Sequence, residues 1–173
     1  MKPLAYILIL YFSAIAAQHA YAQEPWKTHE RTGYTIDYPA DWTLNTSVPG
    51  ASFIITSPPD QPDDDFSENV NLIVEDLSGK NVTLERYTYV TVVQIGAMLP
   101  DSKIISNQTL KRKKLSFQKI VYTGTQEDFY MKYVQYYWIV DEHAFILTFI
   151  CEDEKFEHYQ ATAERILDSF TFH

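Results

Sequence analysis

Hydrophobic and polar residues alternate along several stretches of the chain, and this alternation is the clearest structural signal in the sequence. In residues 69–76, Val70, Leu72 and Val74 alternate with residues that include Asn71 and Glu75. A period of two is typical of a strand with one buried face. Similar short stretches, bounded by turn residues, predict further strands near 34–38, 42–45, 53–57, 104–111 and 116–123.

The most apolar part of the chain predicts a hairpin whose second strand is covered on both faces. Two long strands, 129–140 and 144–151, flank a polar turn at 141–143. The second strand is apolar at nearly every position, whereas a strand with one wet face shows alternation. We therefore expect other elements to pack on each side of this sheet.

Two segments have the features of helices that supply those covers. Residues 83–99 are rich in β-branched side chains, but the stretch is longer than a usual strand and is followed by Pro100, a frequent helix stop. Near the C-terminus, apolar residues recur at steps of three or four, at Phe156, Tyr159, Ala163, Ile166 and Phe170. The elements together predict an α+β fold, a three-layer α/β/α sandwich with a mainly antiparallel central sheet.

The start of the chain has the order of parts of a secretory signal peptide. Lys2 precedes an apolar run over 4–17, and small residues follow at Ala20 and Ala22. The run is shorter than the roughly 20 residues that a membrane-spanning helix needs. We therefore expect residues 1–22 to be removed, leaving a single domain of residues 23–173 that is secreted or periplasmic and not membrane-spanning.

The charge of the chain excludes one class of partner. Its 14 Lys and Arg against 23 Asp and Glu give a net charge of −9. An acidic domain repels phosphate groups, so we expect no nucleic-acid partner. Cys151 is the only cysteine and ends an apolar run, so it is expected to be a buried hydrophobic residue.

An acidic stretch after Pro58 holds five carboxylates that are candidate metal ligands, Asp60, Asp63, Asp64, Asp65 and Glu68. Clustered carboxylates suit hard cations such as calcium, and manganese accepts the same ligands. The spacing lacks the register and the glycine of an EF-hand loop. Two interpretations stay open: a solvated surface loop, or a site for calcium or manganese. No other cofactor is expected.

Aromatic residues crowd the first strand of the predicted hairpin, at Tyr130, Tyr133, Tyr136 and Trp138. They either fill a core or form a partner-binding surface, because exposed Tyr and Trp are enriched at protein interfaces. The basic turn Lys111–Lys114 is a further candidate for docking an acidic partner. A G-x-S-x-G elbow and a glycine-rich phosphate loop are both missing from the sequence, so we expect no enzymatic activity.

Several segments, in their order along the chain, resemble the PsbP superfamily: Tyr34–Pro39 with Asp41-Trp42, Asn69–Val74, Gln118–Gln126, the aromatic hairpin and Asp168-Ser169-Phe170. The resemblance implies an α/β/α sandwich around an antiparallel sheet. It also implies a protein-binding or assembly role, because members such as an extrinsic subunit of photosystem II and the periplasmic DcrB group share that role more than any reaction. We therefore predict a non-enzymatic module that binds another extracytoplasmic protein, with cation binding by residues 60–68 as the alternative.

Overall fold

A computed structural model describes residues 25–173, so the predicted signal peptide lies outside the described part of the chain. Two helices are present there, α1 (Leu84–Met98) and α2 (Phe156–Ser169), the second preceded by a 3₁₀ turn (Asp153–Lys155). The strands are β1 (Trp26–Arg31), β2 (Tyr34–Pro39), β3 (Thr43–Asn45), β4 (Phe53–Thr56), β5 (Asn69–Asp76), β6 (Lys103–Arg112), β7 (Leu115–Gln126), β8 (Phe129–Val140), β9 (His143–Glu152) and β10 (Thr171–Phe172).

Seven of the strands form one antiparallel sheet in the order β3-β4-β5-β9-β8-β7-β6. Strands β6 to β9 follow one another as successive hairpins, and the register of the β8–β9 pair places Tyr136 opposite Leu147. The remaining strands form a small antiparallel sheet in the order β1-β2-β10. The fold is thus built mainly from antiparallel strands, with two helices packed against them.

The central strands β8 and β9 are buried on both faces, as their apolar pattern predicts. Alternate side chains of a strand point to opposite faces of the sheet. Tyr136 and Trp138 of β8 accordingly lie in one core cluster, while Tyr133 and Tyr137 lie in the other. The sheet therefore separates two hydrophobic cores.

The covers on the two faces of the sheet differ in composition. Helix α1 packs on the face that carries Tyr133 and Tyr137, with Ile95 as its one buried residue. Helix α2 packs on the other face, where residues of the small β1-β2-β10 sheet join the same core. The expected three-layer α/β/α sandwich is not confirmed in that form, because one outer layer combines a helix with three strands.

Most elements lie where the sequence pattern predicts them, including α1 in the ambiguous stretch 83–99. Strands β1 and β10 are the exceptions: β1 shows little burial and β10 has only two residues, so neither carries a strong apolar signal. Cys151 is fully buried at the end of β9, as expected. Among residues 25–173, neither helix combines the length and the hydrophobicity that crossing a membrane requires.

Candidate functional site

Three of the four aromatic side chains predicted to bind a partner lie inside the protein. Tyr133, Tyr136 and Trp138 are at most 5% exposed, and only Tyr130 is open to solvent, at 46%. The ring of Tyr133 stacks on that of Tyr122, with 4.6 Å between centroids. This corrects the expectation of an exposed aromatic surface, because a strand covered on both faces directs its side chains into two cores.

The acidic loop folds back onto the start of α2, and three of its five carboxylates converge. Oxygen atoms of Asp60, Asp64 and Glu68 lie within 4.8 Å of one another. Asp63 and Asp65 are exposed and do not belong to this group. The solvated-loop interpretation thus describes Asp63 and Asp65, while the other three carboxylates form an acidic cluster.

The side chain of Lys155 contributes its own positive charge to the acidic cluster. Its Nζ lies 2.5 Å from Glu152, 2.9 Å from Asp64, 3.7 Å from Glu68 and 3.8 Å from Asp60. Lys155 ends the 3₁₀ turn before α2, whereas Asp64 lies 91 residues earlier in the chain. The ammonium group therefore ties the loop to the start of the helix.

Electrostatics inside the cluster favour this ammonium group. The hydrogen bond from Lys155 and those from backbone amides hold the pKa of Asp64 below its usual 3.8. Burial raises the pKa of Glu68, whose Oε1 accepts no hydrogen bond from the described residues. Burial lowers the pKa of Lys155, but hydrogen bonds to Glu152 and Asp64 and the nearby negative charges raise it by more. A divalent cation would have to displace this ammonium, so the geometry gives the calcium or manganese interpretation no support.

A cleft of about 590 Å³ adjoins the acidic cluster and is lined partly by Trp26 and Trp42. Two of its polar side chains already have partners within the protein. Tyr159 donates a hydrogen bond of 2.6 Å from its hydroxyl to Asp60, and the guanidinium of Arg165 lies 3.8 Å from the ring centroid of Trp26. The Tyr159 hydroxyl, the Asp60 carboxylate and the Arg165 guanidinium are therefore already engaged within the protein, which leaves fewer groups for a polar ligand in the cleft.

Cys151 lies in the hydrophobic core, and the ring of His29 packs against aromatic side chains. Burial raises the pKa of the Cys151 thiol to about 12, so its nucleophilic thiolate form is scarce at neutral pH. Burial also lowers the pKa of His29, whose ring packs edge-on against Phe53 with centroids 5.6 Å apart. Both environments fit packing better than nucleophilic or acid–base catalysis.

The outward side of α1 is an apolar surface that the sequence reasoning missed. We call it the α1 outer face and define it by five residues on one side of the helix, all of them exposed: Tyr89, Val90, Val93, Gly96 and Ala97. Tyr89 is 62% exposed and Val93 is 53% exposed. The signal was available in the sequence, because no charged residue occurs between Arg86 and Asp101.

Solved structures of similar fold define the class to which this architecture belongs. Cyanobacterial PsbP (CyanoP) from Synechocystis sp. PCC 6803 is similar at a TM-score of 0.63 and 13% identity, over 92% of this chain and 99% of that one. LpqN of Mycobacterium tuberculosis, which is involved in cell envelope biogenesis, has a TM-score of 0.67 and 14% identity, over 86% and 90%. PA94 of Pseudomonas aeruginosa, of unknown function, has a TM-score of 0.61 and 12% identity, over 83% and 94%. Identities this low show a common fold alone.

The sequence gives the more specific assignment. The model of the family described as PsbP-like protein matches residues 15–172. The chain therefore belongs to the PsbP-like family, which confirms the resemblance seen in its sequence. No curated protein matches the chain.

Proposed function

We propose that this PsbP-like chain is a non-enzymatic protein-binding module of an extracytoplasmic compartment, and that its partner docks on the α1 outer face. The observation that carries the proposal is that α1 is apolar on two sides. Its inner side packs on the sheet through Ile95, while its outer side exposes Tyr89 and Val93. A helix that is hydrophobic around most of its circumference is normally buried, which favours a partner on the outer side.

The presence of a glycine at position 96 also favours the α1 outer face as the docking surface, and it indicates the kind of partner. A glycine inside a helix costs about 1 kcal/mol relative to alanine. Apart from the neighbouring backbone of the helix itself, no atom lies within 4 Å of the position that a Cβ at Gly96 would take, so packing within residues 25–173 does not require a glycine there. A position without a side chain lets another backbone approach closely. The partner is therefore a protein that lays the apolar face of a helix against Gly96 and Ala97.

The charge distribution suits an apolar partner. The chain has a net charge of −9, yet the α1 outer face contains no acidic residue. Arg86, the nearest charged residue at the N-terminal end of the face, lies over the ring of Tyr89 at 5.3 Å from its centroid. Contact with these five residues therefore desolvates no carboxylate of the face itself, while the exposed Glu85 lies one helical turn before Tyr89 at its edge.

Two further observations support the rest of the proposal. The non-enzymatic role is supported by the burial of the Cys151 thiol and by the internal partners of Asp60 and Arg165 in the cleft. The extracytoplasmic location is supported by the signal-peptide pattern of residues 1–22.

The test measures which proteins of the extracytoplasmic fraction an immobilised chain retains. Val93→Glu places a charge on the α1 outer face, and Ala161→Glu places the same charge on an exposed position of α2 beside the cleft. We expect a protein that the unmodified chain and Ala161→Glu retain and that Val93→Glu loses. Gly96→Ala should raise the stability of the chain by up to about 1 kcal/mol and still weaken retention. Retention that survives both α1 changes, or the absence of any retained protein, would overturn the proposal.

A further inference from the structure

The two edges of the seven-stranded sheet differ in length and exposure. Strand β3 at one edge has three residues, whereas β6 at the other edge has ten, most of them exposed. In an antiparallel pair, alternate residues of an edge strand direct their backbone N–H and C=O groups away from the neighbouring strand. Strand β6 therefore presents a row of backbone donors and acceptors over a length of roughly 30 Å.

The features that commonly protect an edge strand are confined to the ends of β6. The one irregularity in its pairing lies between Ile104 and Ser106, and pairing with β7 is continuous from Ser106 to Arg112. Residues 104–110 carry no charge, and Ile105 and Leu110 are 50% and 38% exposed. The middle of the strand thus remains open to pairing with another strand.

Positive charge gathers at both ends of β6, on an otherwise acidic chain. Residues 103–119 include six Lys and Arg and no Asp or Glu. Arg112 pairs with Asp168 at 2.5 Å, and Lys119 lies 4.0 Å from Glu164. The other four have no ion-pair partner among residues 25–173: Lys103, Lys111, Lys113 and Lys114.

We infer that β6 is a docking edge for an extended acidic segment of another protein, which adds to the sheet as an eighth strand. The backbone of that segment pairs with the open edge, and acidic side chains at its two ends meet Lys103 and the basic turn Lys111–Lys114. This surface is separate from the α1 outer face, and the inference stands or falls independently of the proposed function.

Charge also decides against two other occupants. If two copies of β6 paired antiparallel, Lys103 of each would lie near Lys111 or Arg112 of the other, and like charges directly opposite are destabilising. Nucleic acid is disfavoured by the net charge of −9. An extended peptide with acidic ends and an uncharged centre complements both the charge and the length of the strand.

The test titrates the purified chain with the peptide acetyl-Asp-Glu-Thr-Val-Thr-Val-Thr-Glu-Asp-amide and follows backbone amides by NMR. We expect shifts confined to β6 and its neighbours and binding that weakens as salt rises. The double variant Lys103→Glu/Lys111→Glu should weaken binding roughly tenfold or more. The matched pair Lys27→Glu/Lys80→Glu, with the same change in net charge, should leave it within about twofold.

A second peptide, N-methylated at alternate residues, separates strand addition from simple charge attraction. It keeps every charge but lacks the N–H groups that pair with β6, so we expect it not to bind. Equal binding of the two peptides, shifts that map elsewhere, no binding at all, or β6-mediated dimers in sedimentation would each overturn the inference. Val93→Glu should bind the peptide normally, which distinguishes a failure here from a failure of the proposed function.

Discussion

The two helices cover opposite faces of one sheet, but they relate to the rest of the protein in different ways. Helix α2 buries four residues, including Ile166 and Leu167, and the side that faces water carries Glu157, Glu164 and Asp168. Helix α1 buries only Ile95 and exposes an apolar outer face. The amphipathic pattern of α2 is fully explained by the core that it covers. The pattern of α1 is explained only on its inner side.

The starts of the two helices also differ: one is held by a local contact and the other by contacts with a distant part of the chain. Thr83 caps α1 by accepting a hydrogen bond of 3.2 Å from the amide of Arg86, a contact within one turn of chain. Helix α2 starts beside Lys155, whose ammonium group binds the distant acidic loop. The start of α2 is thus tied to a distant part of the chain, whereas the start of α1 is capped by a residue next to it in sequence.

The largest expected effect comes from removing a buried side chain of α2. Ile166 is fully buried, and Ile166→Ala should lower the free energy of unfolding by about 2–5 kcal/mol, because it removes apolar contacts and leaves a cavity. The matched change on the α1 outer face, Val93→Ala, should alter it by less than about 0.5 kcal/mol. Urea unfolding measures both values. A loss at Val93 as large as at Ile166 would contradict the exposed position of the α1 outer face.

The next largest effect is the loss of stability on removing the side chain that holds each helix start. Lys155→Met should cost about 3 kcal/mol, because Glu68 stays buried without its cation. Thr83→Ala, which removes the ordinary cap of α1, should cost about 1 kcal/mol. Thermal and urea unfolding of the two variants give the comparison. Equal losses in the free energy of unfolding would mean that the Lys155 contacts stabilise the fold no more than a local helix cap does.

A double variant checks the cause of that difference. If the cost of Lys155→Met comes from the uncompensated Glu68 carboxylate, then Lys155→Met/Glu68→Gln should be more stable than Lys155→Met alone, because a neutral amide needs no cation. A double variant that is no more stable would place the effect in lost packing of the lysine stem instead.

The sequence contains enough to predict most elements of the fold, because their signals are local. The recurrence of Ile166 and its neighbours at helical spacing identifies α2, and the unbroken apolar run around Leu147 identifies a strand covered on both faces. The same reasoning implies that the rings of Tyr136 and Trp138 on the adjacent strand are buried. Of the two interpretations that the sequence left open for these rings, this consequence favours core packing.

The contacts at the start of α2 could not be predicted in the same way. Lys155 and Asp64 are far apart in sequence, and no periodic pattern relates a single lysine to a distant carboxylate. The acidic composition of residues 60–68 indicates a cation, but it does not show that the cation is a side chain of the same protein. Such convergence depends on the path of the whole chain.

The smallest expected effect is a change in stability at low pH. It tests whether the carboxylates at the start of α2 depend on Lys155. The pKa of Asp64 is lowered in the folded protein, so its contribution to stability is present above the unfolded value of 3.8 and is lost as pH falls through the folded value. Glu68 has the opposite sign: its raised pKa gives stability at low pH that is lost as pH rises through the folded value. Below pH 3.8 we therefore expect a loss that Asp64→Asn reduces, whereas Glu68→Gln removes a gain in stability that occurs as pH falls towards 4.5.

Tryptophan fluorescence is a suitable measurement, because Trp26, Trp42 and Trp138 all lie in or against the core on the α2 side of the sheet. Asp76, near the approach to α1, supplies the control, since hydrogen bonds to Ser78 are the main cause that lowers its pKa. In a Lys155→Met background, Asp64→Asn should change the acid midpoint less, because only the hydrogen bonds from backbone amides then lower the pKa of Asp64, whereas Asp76→Asn should act as before. If both substitutions kept their full effect there, the acid sensitivity would not depend on Lys155, and the two helix starts would differ less than the structure indicates.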